Sequence, residues 1–286
     1  MAVAEGNDGG FVEADGGMFF GLGAFETIAV EDDAPALLPW HAERMSEALR
    51  FLGIRTREGR EWDVARCLAM LRDACANPGG GYVGGDRSTR RVVKVTVTER
   101  NVIVSHRSNP YDGMSRKRGF VCRVSSVRRN ETSPFTLRKT LNYGDCIFEK
   151  RAARRDGVDE PIFLNSHGLV TEGATSSVFA VLGDPAQYLG GRGGVVVTPP
   201  VRDGLLPGVM RRYVMQGWRV EERSLTLDDL CAAQEMFVTN SLMVAMPVRS
   251  LRDERGVEMR TFPDSRVAQA VVGRYMRQVG HAGGSA

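Results

Sequence analysis

Apolar positions along the chain switch between a spacing near four and a spacing of two, and the switches mark out the elements. Residues 18–30 read as a turn feeding a β-strand, and 35–38 as a second short strand. Over 39–52 the residues Met45, Leu49 and Leu52 fall on one helical face; over 61–77 Val64, Leu68 and Leu71 do the same. The Gly-rich stretch 78–85 reads as a loop, and strands are expected at 91–98, 101–105 and 119–125. The polar stretch 128–135 contains Ser133-Pro134, a combination that favours a linker. These boundaries predict a small N-terminal α/β domain over 1–127, a linker at 128–136 and a larger C-terminal domain over 137–286.

In the second half a helix is expected over 141–156, burying Ile147 and Phe148. Strands follow at 160–165, 177–182 and 195–198, then a helix starting near Pro207 and a strand at 218–222. A short helix over 226–233 takes Thr226 as its N-cap. The last clear core strand is 235–239 and the last helix 264–279. Strands outnumber helices and do not alternate with them strictly. An α+β (mixed α/β) fold class therefore fits better than a doubly wound sheet.

Composition narrows the function classes. The 286 residues are 42% hydrophobic and 26% charged, with no apolar run long enough to span a bilayer. The first ten residues lack the basic start and apolar stretch of a signal peptide, so a cytoplasmic protein is expected. The net charge is only +3, and basic clusters such as Arg116-Lys117-Arg118 and Arg128-Arg129 have acidic residues spread among them. That is a solvated surface with anion pockets, with neither a nucleic-acid stripe nor a membrane-binding face. Five scattered cysteines without a CxxC pair, and four well-separated histidines, favour reduced thiols and argue against a metal site.

Three anchors for chemistry remain. Lys139 stands at a linker-to-helix junction, where a side chain projects into a cleft; a solvated surface lysine is the ordinary alternative. Glu172 lies in Val170-Thr-Glu-Gly-Ala-Thr, flanked by small residues, which suits a carboxylate held against a ligand; a plain hairpin turn explains the same residues. Pro207-Gly208 opens a helix whose first N–H groups form a phosphate cup. The segment Gly21-Leu-Gly-Ala-Phe lacks the spacing of a dinucleotide-binding loop.

Taken in order, Gly23-Ala-Phe-Glu-Thr, His41-x-x-Arg44, Lys139-Thr-Leu-Asn-Tyr, Val170-Thr-Glu-Gly, Leu206-Pro-Gly-Val-Met-Arg and Val238-Thr-Asn-Ser-Leu resemble the motif set of the class IV aminotransferases. The resemblance covers roughly residues 18–250. It implies a two-domain fold-type IV enzyme, usually a homodimer, with a barrel-like β core and pyridoxal 5'-phosphate in the cleft between domains. By position, Lys139 would bond covalently to the cofactor and then act as general base and acid. Glu172 would pair with the pyridine nitrogen, keeping it protonated and a stronger electron sink. Arg44 would neutralise the phosphate, helped by the Gly208 helix start, the N–H groups of Val209 and Met210, and Ser241 and Leu242. Asn142 and Tyr143 belong to the lysine motif, and Tyr143 would face the phenolic oxygen of the ring.

The family holds aminodeoxychorismate lyases, D-amino acid aminotransferases and branched-chain aminotransferases. Asn240-Ser-Leu followed by Met246-Pro-Val, and the tract 128–134, are similar to the lyases. The three-residue step from Lys139 to Asn142 resembles lyases and D-amino acid enzymes, which makes branched-chain activity the least favoured of the three. The expected reaction is conversion of 4-amino-4-deoxychorismate to p-aminobenzoate and pyruvate in the folate pathway. Transamination is the alternative, and a cofactor-binding relative without activity a third reading. After the strand ending at Thr98 many members carry Arg-Gly; here the chain reads Glu99-Arg100-Asn101. Arg100, His106, Arg107 and Asn240 are the candidate substrate contacts.

Overall fold

A computed structural model describes residues 2–5, 11–77 and 90–282. The chain forms two compact units: Met1–Asp112, Arg138–Asn142 and Gln278–Ala286 make the first, Gly113–Leu137 and Tyr143–Arg277 the second. The expected loop at 78–85 lies outside the described residues.

In the first unit, β1 (Ala2–Glu5) pairs with β2 (Phe11–Glu13), and a helical turn α1 (Gly16–Phe20) follows. Next come β3 (Gly23–Glu31), β4 (Ala34–Pro35), the helices α2 (Leu38–Phe51) and α3 (Val64–Ala76), β5 (Arg90–Thr98) and β6 (Val102–Ser108). The sheet runs β4-β3-β5-β6 and is antiparallel throughout. Ile28, Val30, Val93 and Val95 from the strands and Met45, Leu49 and Leu71 from the helices form one buried cluster, the expected use of period-two and period-four faces. The helix α1 replaces part of the turn read at 18–22. Asp15 caps it by accepting from the N–H groups of Gly17 and Met18, and Gly21, at φ 69°, ends it in the left-handed region.

The second unit contains β7 (Phe120–Arg129), α4 (Gly144–Arg155), β8 (Glu160–Asn165), β9 (Val170–Gly173), β10 (Ser177–Leu182), α5 (Pro185–Leu189) and β11 (Val195–Thr198). It continues with α6 (Val209–Gly217), β12 (Val220–Glu222), α7 (Leu227–Ala232), β13 (Glu235–Asn240), β14 (Val244–Arg252), β15 (Glu258–Thr261) and α8 (Arg266–Ala282), whose last residues belong to the first unit. The strands make one nine-stranded sheet in the order β12-β11-β10-β13-β14-β7-β8-β9, with β15 on β14. Because β9 also pairs with β10, six strands close into a barrel-like ring: β10, β13, β14, β7, β8 and β9. Phe179 and Phe237, opposite each other on β10 and β13, stack at 5.0 Å in its core. The mixed α/β expectation holds, with the closed barrel as its centre.

Three details differ from the sequence reading. The linker expected at 128–136 begins inside β7, and β7 pairs with β8 and β14, so it belongs to the second unit. Those parallel pairings require a crossover, which α4 supplies between β7 and β8. On α4 the buried positions are Cys146 and Ala153, while Ile147 and Phe148 are 39% and 67% exposed. The helix turns its small residues inward because β7 and β8 lie close beneath it. Finally, β13 is not the last core strand: β14 follows, and its residues Val244–Val248 are all buried. Thr226 caps α7 as expected, with Asp229 completing a capping box. Among the described residues no helix is long and apolar enough to cross a membrane.

Glu235, at the start of β13, is fully buried and accepts from the N–H groups of Val267 and Ala268 in the first turn of α8 (2.9 and 2.7 Å). Burial outweighs these two bonds, and with Asp264 nearby it lifts the carboxyl from 4.5 to about 7. A carboxyl raised on folding stabilises the fold fully below pH 4.5 and loses that contribution as the pH climbs through 7. Glu235→Gln is therefore expected to flatten the fall in melting temperature across that window. An unchanged slope in thermal melts of the two proteins would refute the assignment.

Candidate active site

In the first unit, Arg138–Asn142 runs beside the start of β3. The Phe25 N–H donates to the Lys139 carbonyl (3.0 Å) and the Leu141 N–H to the Gly23 carbonyl (2.8 Å). Lys139 is thus held by backbone pairing on both sides, half-buried, with its Nζ 4.4 Å from the centre of the Phe25 ring. Lys94, from β5, places its own Nζ 4.7 Å from the same ring. Asn142 donates to the Gly21 carbonyl (3.0 Å), and its side chain would stand 3.1 Å from a Cβ at Gly21. In the family-like tract it therefore acts on the backbone of its own unit.

Next along β3, Glu26 is fully buried and receives Arg44 at two points, Nε to Oε1 (2.7 Å) and Nη2 to Oε2 (2.6 Å). His41 Nδ1 stands 2.6 Å from the same Oε2. Burial raises the Glu26 carboxyl, but Arg44 and then His41 outweigh it and hold the group at about 2. Burial pushes His41 down by more than Glu26 can raise it, which leaves a neutral ring donating from Nδ1. Its buried Nε2 meets no hydrogen-bond partner among the described residues. The guanidinium of Arg44 is aimed by Glu26, a residue the motif contains and to which the sequence alone assigns no role.

In the second unit Glu172 sits on β9, every residue of which is buried. Arg129, from the end of β7, pairs with its Oε1 at 2.9 Å, and the Leu206 N–H donates to its Oε2 at 3.1 Å. Burial alone would lower the Arg129 pKa. The charge of Glu172, followed by Cys146 and Tyr143, reverses this and leaves it raised. Tyr143 packs with Val127, Cys146, Phe163 and Ala174 at the base of the same group. Leu206 leads directly into Pro207-Gly208, the residue before α6. Gly208, the N-cap, supplies no side-chain cap to that helix, and a Cβ there would stand 2.7 Å from the Ser177 hydroxyl. Val209 and Met210 open the helix and are both buried. Asn240 donates to the Thr175 carbonyl (3.1 Å), so the third motif tract reaches the turn that follows Glu172.

The second unit thus brings together Tyr143, Glu172, Gly208 to Met210 and Asn240 to Leu242, from tracts about 100 residues apart. Arg129 completes the group; in sequence it reads as part of a basic surface pair. Asn240 is engaged in the fold, accepting from the N–H groups of Leu242 and Met243 (2.9 Å each), with Ser241 between them. In the first unit, Arg100 is exposed at the tip of the β5–β6 hairpin, 3.9 Å from Glu13, with its backbone N–H on Asp15. Arg107 is exposed on β6. His106 is lowered by burial and by Arg91, and its ring nitrogens meet no hydrogen-bond partner among the described residues.

Arg129 and Glu172 carry side-chain exposures of 11% and 4%. Removing one member of such a pair strands the other charge. Arg129→Leu is expected to lower the unfolding free energy by about 3–5 kcal/mol, and Arg129→Leu with Glu172→Leu to recover most of it. Urea denaturation of the cofactor-free protein measures both. A single variant as stable as the wild type would show that the pair is dispensable.

Comparison with known proteins gives the arrangement its context. The family profile for amino-transferase class IV matches residues 23–251. Over 249 residues the chain is 27% identical to the aminodeoxychorismate lyase of Bacillus subtilis (strain 168), covering 84% of this chain and 80% of that one. It is 30% identical over 248 residues to a putative branched-chain-amino-acid aminotransferase of Methanocaldococcus jannaschii, covering 82% and 80%. Among solved structures it resembles a hypothetical aminotransferase from Mycobacterium tuberculosis in its PLP-bound form. The TM-score is 0.73 at 20% identity, covering 95% of this chain and 98% of that one, a likeness of fold. The chain belongs to the class IV aminotransferase family, whose enzymes act on small molecules and depend on pyridoxal phosphate.

Proposed function

We propose that this chain is a lyase that converts 4-amino-4-deoxychorismate to p-aminobenzoate and pyruvate, as a cytoplasmic homodimer serving folate synthesis. The observation that carries the cofactor reading is the convergence of the Glu172, Leu206–Gly208 and Asn240 tracts in the second unit. The donor set suits a pyridine ring bearing a phosphate. A buried carboxylate is paired with Arg129, and α6 starts at Gly208, where a Cβ would stand 2.7 Å from the Ser177 hydroxyl. When bound, pyridoxal phosphate supplies an electron sink for the carbon that bears the substrate's nitrogen.

In this reading Lys139 holds the cofactor through its Nζ until substrate arrives. The same Nζ then removes the proton from the carbon bearing the substrate's amino nitrogen. Loss of that proton lets the neighbouring ether bond break. The enolpyruvyl group leaves as pyruvate after taking up a proton, for which Lys139 is the donor, and no water is consumed. Glu172, paired with Arg129, would face the pyridine nitrogen and favour its protonated form. Arg44, aimed by Glu26, together with Gly208 to Met210, Ser241 and Leu242, would hold the phosphate, and Tyr143 would lie toward the phenolic oxygen. Arg100, Arg107 and His106 are the candidate contacts for the substrate's carboxylates.

The similarity to the Bacillus subtilis lyase and the lyase-like tracts 128–134 and Asn240-Ser-Leu support this choice of reaction. The 30% identity to the putative branched-chain enzyme supports the second reading, transamination with a 2-oxo acid. The two reactions share their first proton removal and diverge in where the next bond breaks.

Two measurements test the proposal. Purified protein mixed with pyridoxal phosphate is expected to turn yellow, and Lys139→Ala to lose the colour; a wild type that stays colourless with excess cofactor sinks it. Supplied with aminodeoxychorismate, the enzyme is expected to form p-aminobenzoate. If it makes only new amino acids from D- or L-amino acids and 2-oxoglutarate, the transaminase reading replaces it.

A further inference from the structure

Between Glu172 and Ser177 the chain makes a tight turn, and a second buried carboxylate grips it. Glu160, fully buried on β8, accepts through Oε1 from the Thr175 N–H (2.8 Å) and the Ser176 hydroxyl (2.7 Å). Its Oε2 takes the ammonium of Lys150, which reaches in from α4 and also donates to Thr175 Oγ1 (2.6 Å). The packing leaves no slack at Gly173, where a Cβ would stand 2.3 Å from Ser176 Oγ and 2.6 Å from Glu160 Oε1. On the other side of the turn, the Thr175 carbonyl accepts from Asn240 Nδ2 (3.1 Å), and Asn240 Oδ1 accepts from Leu242 and Met243 (2.9 Å each). Direct bonds therefore run from Lys150 through Glu160 and Thr175 to Asn240 and the turn before β14. That turn ends at Val244 in the left-handed region (φ 65°), a conformation a β-branched residue adopts only when its surroundings enforce it.

We propose that Glu160, paired with Lys150, is a positioning residue for the cofactor: it sets the spacing between the strand that carries Glu172 and the turn that carries Ser241 and Leu242. The proposal rests on the reading of those residues as cofactor contacts. A buried charge pair is a poor device for stability alone, since apolar side chains of similar volume serve as well. Its value lies in direction. A carboxylate with donors on both oxygens fixes the Thr175 backbone to within a hydrogen bond's tolerance, and an apolar pair would leave that backbone free to shift. The network runs from Glu160 on β8 to Asn240 at the end of β13, two strands that are not neighbours in the ring.

The experiment compares two double variants, so that neither Glu160 nor Lys150 is left as a lone buried charge. Glu160→Leu with Lys150→Met removes the whole grip; Glu160→Gln with Lys150→Met keeps an acceptor for the Thr175 N–H. Titrated with pyridoxal phosphate, the first is expected to bind about tenfold more weakly or worse. The pH midpoint of its bound cofactor's visible absorbance is expected to move as well. The second is expected to recover most of both. Unaltered affinity and midpoint in the Leu/Met protein overturn the proposal. If that protein does not fold, Thr175→Val and Asn240→Ala, singly and together, take its place. Coupled effects on the dissociation constant support the strut, and additive ones overturn it. Wild type that binds no pyridoxal phosphate fails the underlying cofactor reading instead, which separates the two failures.

Discussion

Glu172 and Ser177 stand opposite each other at the one pairing that joins β9 to β10 and closes the sheet on itself. Closure removes the edges that two buried strands would otherwise leave unpaired, and it forces the three-residue link between them into a tight turn. Gly173 and Gly208 follow from that constraint. One lies against Glu160 and Ser176, with no room for a Cβ; the other lies against Ser177, whose hydroxyl would have to turn away. Burial of the Glu172 carboxylate also follows, because a residue on the closing strand is covered by neighbours on both sides. Once a carboxylate is buried it must have donors, and Arg129 and the Leu206 N–H supply them. The site in the second unit is thus a consequence of how the ring shuts.

What could be read in the sequence divides along the range of the interactions. Elements whose signals lie within a few residues were legible. The helices α2 and α3, the Thr226 cap and the paired strands β5 and β6 stand within three residues of where the pattern places them, although Val64, expected on the inner face of α3, is exposed. The fate of β7 was not, because its partners β8 and β14 lie some 40 and 130 residues onward, and parallel pairing leaves no mark in the strand itself. On α4 the adjacent Ile147 and Phe148 outweigh Cys146 and Ala153 in any count of apolar residues. The crossover between two close strands favours the smaller pair, so the helix turns the other way. Pro247 hid β14, since proline inside a run argues against a central strand; here it stands opposite Phe237. For the candidate site, Lys139 and Glu172 stand out in the sequence through the order of motifs. Arg129 was not, because its partner lies 43 residues away and its neighbour Arg128 is a half-exposed surface residue paired with Glu254.

Three buried pairs share one construction. Glu26, Glu172 and Glu160 lie on strands with side-chain exposures of 0%, 4% and 0%, and their partners Arg44, Arg129 and Lys150 retain 10%, 11% and 11%. The acid is short and locked by its strand; the base is long and keeps about a tenth of its side chain exposed. That asymmetry lowers the desolvation cost, because only one of the two ions is stripped completely. It also decides which atom is fixed. A strand carboxylate has few rotamers and several donors, so its oxygens are placed as firmly as the sheet itself. Chemistry that depends on a carboxylate at a ring nitrogen needs that firmness more than it needs stability, because a misplaced charge would neither hold the proton nor orient the ring. The sheets of both units therefore carry the acids, the basic groups come from helices and strand ends, and the direction of each functional group is inherited from strand pairing rather than from a loop.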